Sequence, residues 1–501
     1  MLIGDLLQLK AEQQPDHPFL LLDEDTYTYM EFNQKVNQCV TFLQEKYYIK
    51  KGTHVCVALP NGIDFLLMFF AVAKLGAILI PVNPKFNADL LSYIISQSES
   101  SLFVHQKDID TSNTVLGVKS LAIDNGQLLN FIRDMPEAER FEEDLHSYET
   151  FSIIYTSGTT SRPKGVVSTH KTYIAAGKDM VDALQISKDE ITYLFLPLFH
   201  ANPQFYGIMS ALVAGNTLLI DKKFSAREFW NKVRKQSFSI FTYVGTVLSI
   251  LAKTSPTEMI PSMVRGVGGG APAEVWTHLQ TKCGLTIHEL YGMSETGGFV
   301  TINSCEEWKF DSVGKARECV EVAILNENDQ ICSIDEVGEI AVRPKEPFVL
   351  FNGYYNDTEK TLEAMSNLWF HTGDTGWIDN EGYLHFKGRI KDIIRKKGEN
   401  ISPSYIEEVY QRIPAIKESV CIGIPDNMVG EEIKLCVVME ENNYQPNELH
   451  EWGKQHLPEE MIPRYFERMD QFPKTSTEKV EKHKLKYINA QVIDIKNSIL
   501  N

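Results

Sequence analysis

Short apolar runs, each followed by a turn and a longer amphipathic segment, recur along this chain and constrain its fold more than any other feature. HVCVALP (54–60) reads as a strand, Asn61–Gly62 as a turn and 64–75 as a helix. AILIPVN (77–83) is the next strand and 88–98 the next helix; TYLFLP (192–197), NTLLIDK (216–222) and FSIFTYV (238–244) continue the series. Strands alternating with helices at this spacing form parallel sheets covered on both faces, because each crossover lays its helix on the sheet it has just left. Such sheets need a large apolar core. The 43% hydrophobic and 10% aromatic content supplies one and excludes a mainly disordered chain.

Over 501 residues, two or three domains are expected. From about Ser312 the texture turns β-rich, with VEVAILN, GEIAVRP and a Tyr/Gly-rich turn at 352–356. A further shift follows GRIKDIIRKKGENISP (388–403), where a helix (403–412), the strands SVCIGIP and KLCVVME, and a helix (448–457) succeed one another. That makes an α+β unit of about 100 residues, the size of a separate domain. The expected architecture is α/β multidomain: layered αβ sheets plus a β-barrel-like region in residues 1–390, and a small α+β domain in 391–501.

Composition narrows the function classes. The chain has 49 Lys+Arg against 67 Asp+Glu, a formal charge of -18, whereas a broad nucleic-acid surface needs a basic field. A locally basic pocket can still take an anionic substrate. The eight cysteines stand singly, with no CxxC pair and no histidine at metal-ligand spacing. This argues against structural zinc and for reduced core thiols in a cytoplasmic protein. No basic-then-apolar leader opens the sequence. The most apolar stretch, 65–82, carries Lys74 and Gly76 inside it and Pro81 at its end, so a buried helix running into a buried strand is expected rather than a membrane span.

The most informative segment is YTSGTTSRPKGV (155–166), delivered by the apolar run FSIIY. Thr156, Ser157, Gly158, Thr159 and Thr160 are all hydroxylated or glycine. Such a loop can turn N–H groups and hydroxyls around a polyphosphate, with Gly158 supplying backbone freedom and Lys164 a positive charge. It is not a Walker A loop, since the Gly-x4-Gly-Lys-Ser/Thr order is absent. Alone it also reads as an ordinary surface turn. The segment resembles the phosphate-binding signature of the adenylate-forming superfamily, which includes acyl-CoA synthetases, peptide-synthetase adenylation domains and luciferases. GGGAP (268–272), ELYGMSET (289–296), WFHTGD (369–374), GRIKD (388–392) and PKTSTEKVEK (473–482) match that family's later signatures in order. The resemblance thus extends over 155–482.

The resemblance implies a set of roles. Thr156 to Thr160 and Lys164 would hold the β,γ-phosphates of ATP. Glu295, a hard oxygen donor, would bind Mg²⁺ with Thr156 assisting. Tyr291 would stack on adenine, Gly270 and Ala271 would line the adenine and acyl pocket, and Gly292, Met293 and Ser294 would belong to the same nucleotide-binding turn. Thr296 would contact the AMP phosphate, while Asp374 would accept the ribose hydroxyls and Arg389 would reach the ribose from the hinge side. Lys391 would be the hinge of a mobile C-terminal lid. Lys479 would be the catalytic lysine, a fixed ammonium that stabilises the charge built up when a carboxylate attacks the α-phosphate. Glu478 stands where the family usually has glycine. As isolated residues, Glu295 and Asp374 also read as helix-start and turn carboxylates, and the lysines around 479 as a solvated face.

For the acid, LPLFHANPQFYG (196–207) places Ala201 and Asn202 after His200, with no carboxylate to pair a substrate ammonium. An ordinary α-amino acid is therefore disfavoured. His200 resembles the gate residue of acyl- and aryl-CoA ligases. Tyr243, Gly245, Gly268, Gly269, Met293 and Gly298 would complete a small, apolar acyl pocket suited to a hydrocarbon-bearing acid. FTYVGTVL, GGGAPAEVW and TEKVEKHKLK are similar to carnitine/crotonobetaine-CoA ligases and fatty acyl-CoA synthetases. Phe205, Tyr206 and Tyr243 could face a quaternary ammonium, although core packing is the simpler explanation for them. With no carrier domain following in the sequence, free CoA is the expected acceptor, approached by the Lys397–Gly398 turn. A separate carrier protein is the alternative.

Overall fold

The computed structural model describes residues 1–111, 117–138, 144–156, 163–256, 264–396, 399–426, 429–440, 446–474, 480–488 and 492–495. Two large sheets account for most of the first 316 residues. One has nine strands, and its six consecutive strands Pro18–Leu22, Thr217–Ile220, Ile191–Leu194, Ile240–Val244, Arg265–Gly269 and Thr286–Met293 run parallel. The other has six strands, parallel from Lys119–Ile123 through Leu102–Gln106, His54–Ala58 and Ile78–Pro81 to Thr150–Thr156, with Lys164–Thr169 antiparallel at the edge. The strand–helix alternation in the sequence is the cause of both.

The apolar stretch 65–82 divides as expected into the helix Ile63–Lys74 and the strand Ile78–Pro81. Every residue of that helix is buried, within a core cluster that draws on both sheets. Lys74 is accommodated there because its ammonium donates to Asn33 Oδ1 at 2.6 Å and Asn37 Oδ1 at 2.7 Å. Among the described residues no helix is long and apolar enough to cross a membrane.

The β-rich region is a four-stranded antiparallel sheet, Val320–Leu325, Gly338–Pro344, Phe370–Ile378 and Leu384–Arg389. Beyond the short turn Ile390–Asp392, the C-terminal unit is built on a third architecture. Ile416–Asp426 and Gly430–Met439 form one long hairpin, with Tyr465–Arg468 parallel to its second arm and the helices Pro403–Gln411 and Pro446–His456 alongside. The two strands expected as SVCIGIP and KLCVVME are the centre of that hairpin.

Candidate active site

In parallel αβ sheets, ligands bind beyond the carboxyl ends of the strands. Two neighbouring strands end together here beside a third that runs on to Met293, placing Tyr243, the turn 268–271 and the strand residue Glu289 side by side. Glu289 is buried, yet its carboxylate is fully engaged. Oε1 accepts from the backbone N–H of Gly270 at 2.5 Å and of Ala271 at 3.0 Å, and Oε2 accepts from the Tyr243 hydroxyl at 2.5 Å. Burial pushes the Glu289 carboxyl up to about 7, against the pull of those hydrogen bonds.

The glycines expected in the acyl pocket are required by close backbone approach. A Cβ on Gly245 would lie 1.9 Å from the Gly270 carbonyl oxygen, and one on Gly268 2.1 Å from that of Tyr243. Gly270 itself has φ +87°, a conformation that side-chain-bearing residues avoid. His200 lies against Phe199, just before the helical turn Pro203–Ile208, and the Asn202 amide donates to the Tyr243 carbonyl at 3.2 Å. Phe205 and Tyr206 are buried, as core packing requires.

Tyr291, Asp374 and Arg389, spread over almost one hundred residues of sequence, meet. The Tyr291 hydroxyl donates to Asp374 Oδ2 at 2.9 Å, and Arg389 Nε lies 3.3 Å from Asp374 Oδ1. The meeting is set by antiparallel pairing, because Asp374 and Arg389 are partners in register on adjacent strands. Burial, reinforced by the Asp374 charge, holds the Tyr291 hydroxyl protonated. Its ring stacks on Phe386 at 5.8 Å between centroids. Lys391 follows two residues after Arg389; burial, with the adjacent Arg389 charge, lowers its pKa.

Glu295 is buried in the three-residue turn Ser294–Thr296 and accepts from the Tyr354 hydroxyl at 3.0 Å. Burial raises its pKa, while hydrogen bonds and the Arg389 and Lys164 charges oppose the shift. Lys164 Nζ stands 4.8 Å from the Tyr354 ring centroid. Thr156 is the register partner of Lys164, so the two hold the ends of the segment between them. Among the described residues no three His, Cys, Asp or Glu side chains form a metal cage. The Glu295 carboxylate, a hard oxygen donor, still fits Mg²⁺, which takes few protein ligands and completes its shell with phosphates and water.

The remaining expected residues are placed as follows. Gly292 faces Phe299 across an antiparallel pair, and a Cβ there would meet the Gly298 oxygen at 2.6 Å. Thr296 is wholly buried; its hydroxyl donates towards the carbonyls of Met293 and Gly298 and accepts from Met293 N at 2.9 Å, so its side chain braces the turn. Ser294 opens that turn. Ser157, Gly158, Thr159, Thr160, Lys397, Gly398 and Lys479 lie outside the described residues.

Four residues at the site were not singled out from sequence. Glu289 is the first letter of ELYGMSET, and Tyr354 belongs to the Tyr/Gly-rich turn that reads only as a turn. Phe386 stacks on Tyr291, and Arg317, buried, donates to the Thr296 carbonyl at 2.7 Å and to Asp179 at 2.8 Å. Tyr354 reaches Glu295 because its segment pairs with the strand carrying Lys164, through a bridge to Val166 and a Tyr355 N–H bond to the Gly165 carbonyl. No local pattern announces such a contact.

The model of the AMP-binding enzyme family matches residues 7–355, and that of the AMP-binding enzyme C-terminal domain matches 405–479. The chain belongs to the AMP-binding enzyme family. Within it, this AMP-binding enzyme is similar to an oxalate–CoA ligase of Arabidopsis thaliana, 29% identical, with 96% of this chain and 97% of the relative covered. It is 30% identical to a crotonobetaine/carnitine–CoA ligase of Shigella sonnei over 92% of this chain and 93% of that one. A long-chain-fatty-acid–CoA ligase of Mycobacterium tuberculosis is also 30% identical, over 91% and 92%. The fold matches that of o-succinylbenzoate CoA synthetase from Bacillus subtilis, solved with an acyl-adenylate, with a TM-score of 0.88 at 24% identity over 97% and 98% of the two chains. This AMP-binding enzyme is an AMP-forming acid–thiol ligase.

Proposed function

We propose that this enzyme is an ATP-dependent acyl-CoA synthetase for a non-amino carboxylic acid of fatty, carnitine-like or related type. The observation that carries the proposal is the convergence of Tyr291, Asp374 and Arg389 beside Glu295 and Lys164. It offers a buried carboxylate for ribose, an aromatic face, and cations near a carboxylate of metal-ligand type. The CoA-ligase names of relatives across nearly the whole chain support a thiol acceptor. The residues after His200 support the exclusion of α-amino acids: Ala201 and Asn202 bring no carboxylate, and the Asn202 amide is bonded to backbone.

The reaction divides in two. A carboxylate oxygen of the acid attacks the α-phosphorus of ATP, a P–O bond forms, and the bond to the β-phosphate breaks to release pyrophosphate. The CoA thiolate then attacks the acyl carbon, a C–S bond forms, and the C–O bond to AMP breaks. Asp374 accepts from the ribose hydroxyls and keeps Tyr291 aligned through its phenol, while Arg389 balances the buried charge. Thr156, Lys164 and the 157–160 segment take the β,γ-phosphates. Bound Mg²⁺ supplies positive charge at those phosphates, and Glu295 is the residue that would hold it. We assign Lys479 to the developing charge at the α-phosphate, and Lys391 to the pivot that exchanges Lys479 for the Lys397–Gly398 turn between half-reactions.

The test is product analysis with and without CoA. AMP and pyrophosphate formed with an acid, and a CoA thioester only when CoA is added, support the proposal. Adenylate formation with no CoA product would move the acceptor to a separate carrier protein, and ADP as product would refute the reading.

A further inference from the structure

Among the described residues, Glu289 is the one buried carboxylate beside the carboxyl ends of the parallel strands of the nine-stranded sheet that the roles above leave unused. Its two oxygens face different parts of the site. Oε1 takes both N–H groups of the turn at Gly270 and Ala271, and Oε2 takes the hydroxyl of Tyr243. In the roles expected of them, the turn would line the nucleotide side of the cleft and Tyr243, itself wholly buried, would back the acyl side, so one carboxylate ties the two together across three strands.

We propose that Glu289 is a positioning residue that fixes the register between the acyl wall at Tyr243 and the nucleotide-side turn at Gly270–Ala271. The inference rests on the acyl-CoA synthetase reading given above.

The surrounding geometry shows why a separate anchor is needed. Gly270 sits at φ +87°, and the backbones of 245 and 270 approach too closely for a side chain on Gly245. Side-chain packing therefore cannot hold the turn at that point; hydrogen bonds can. Two backbone N–H groups aimed at one carboxylate oxygen are strong, short and directional. Both bonds are part-buried, so losing the shared acceptor would cost the turn much of what holds it in this position. The Tyr243 backbone is fixed by Asn202 and by the ladder that pairs Tyr243 and Val244 with Gly268 and Gly269; that ladder stops one residue short of Gly270, and the Tyr243–Glu289 bond adds a side-chain link beyond its end.

The test separates positioning from plain stability. Glu289→Ala removes both sets of contacts, Glu289→Gln retains an oxygen for the two amides, and Tyr243→Phe removes only the wall contact. Phe19→Leu, wholly buried on the strand Pro18–Leu22 against Tyr29, Phe32 and Phe70, serves as a control for lost stability. The assays are AMP binding by calorimetry and the KM values for ATP and acid in pyrophosphate exchange, alongside thermal melting. Glu289→Ala is expected to weaken AMP binding and raise the acid KM at least tenfold, and Glu289→Gln to stay within about threefold of wild type for AMP. Tyr243→Phe is expected to raise the acid KM three- to tenfold with AMP binding within twofold. Should Glu289→Ala not fold, the split expected of Tyr243→Phe carries the test. AMP binding and both KM values that follow melting temperature alone, as in Phe19→Leu, would overturn the proposal; so would Glu289→Gln as damaging as Glu289→Ala. A wild-type enzyme that forms no AMP with any acid would instead refute the reading on which it rests.

Discussion

Gly245→Ala is the sharpest single perturbation. The added carbon would stand 1.9 Å from the carbonyl oxygen of Gly270, and neither atom belongs to a flexible side chain. Non-bonded heavy atoms sit comfortably at about 3.5 Å, so the two backbones must part by roughly 1.5 Å. Overpacking of that kind costs about 1–3 kcal/mol. The movement falls on the turn that Glu289 holds, and a misplacement of about 1 Å at a reacting site costs on the order of 100-fold in rate. The expected result is a modest fall in melting temperature together with a loss of about 100-fold in kcat/KM for pyrophosphate release with the preferred acid. Unchanged kcat/KM at the same loss of stability would refute the argument, because it would mean that the turn at 268–271 does not shape the reacting site.

Further expectations concern the charged groups. Asp374→Asn should weaken AMP binding about 10- to 100-fold by calorimetry, since hydrogen bonds to a charged group contribute about 1.5–3 kcal/mol. Glu295→Gln keeps an acceptor for Tyr354 but loses the charge, so pyrophosphate exchange should need markedly more Mg²⁺ and fall on the order of 100-fold. Lys479→Ala should abolish pyrophosphate exchange, whereas Lys391→Pro should spare exchange and block thioester formation, which rapid-quench assays of each half-reaction read directly. The Glu289 carboxyl, raised from 4.5 to about 7, binds a proton more tightly in the folded chain than in the unfolded one. Folding stability should therefore fall as pH rises through that window, and Glu289→Gln should flatten the trend in melting curves.

Local sequence patterns carried much of the architecture. The strand–helix alternation and the division of 65–82 into helix and strand correspond to the observed elements within a few residues, because burial and period dictate them. The ends were less legible. TYLFLP forms a strand only over Ile191–Leu194, with Pro197 unable to donate to a ladder. At the site, the motif residues Tyr291, Asp374 and Arg389 converge, yet their contacts depend on the register of antiparallel strands that no short segment encodes. Tyr354 and Phe386 come to Glu295 and Tyr291 for the same reason. Glu289 was hidden in plain sequence, since a carboxylate in a strand gives no sign that two amides and a phenol from neighbouring strands will meet it.

The most direct measurement of the central claim is a screen of AMP and pyrophosphate release across short and medium fatty, aryl, betaine and amino acids, each with and without CoA. AMP and pyrophosphate in equal amounts, with a CoA thioester, are expected for one class of non-amino acid. ADP as the product, or equal turnover with α-amino acids, would contradict that claim.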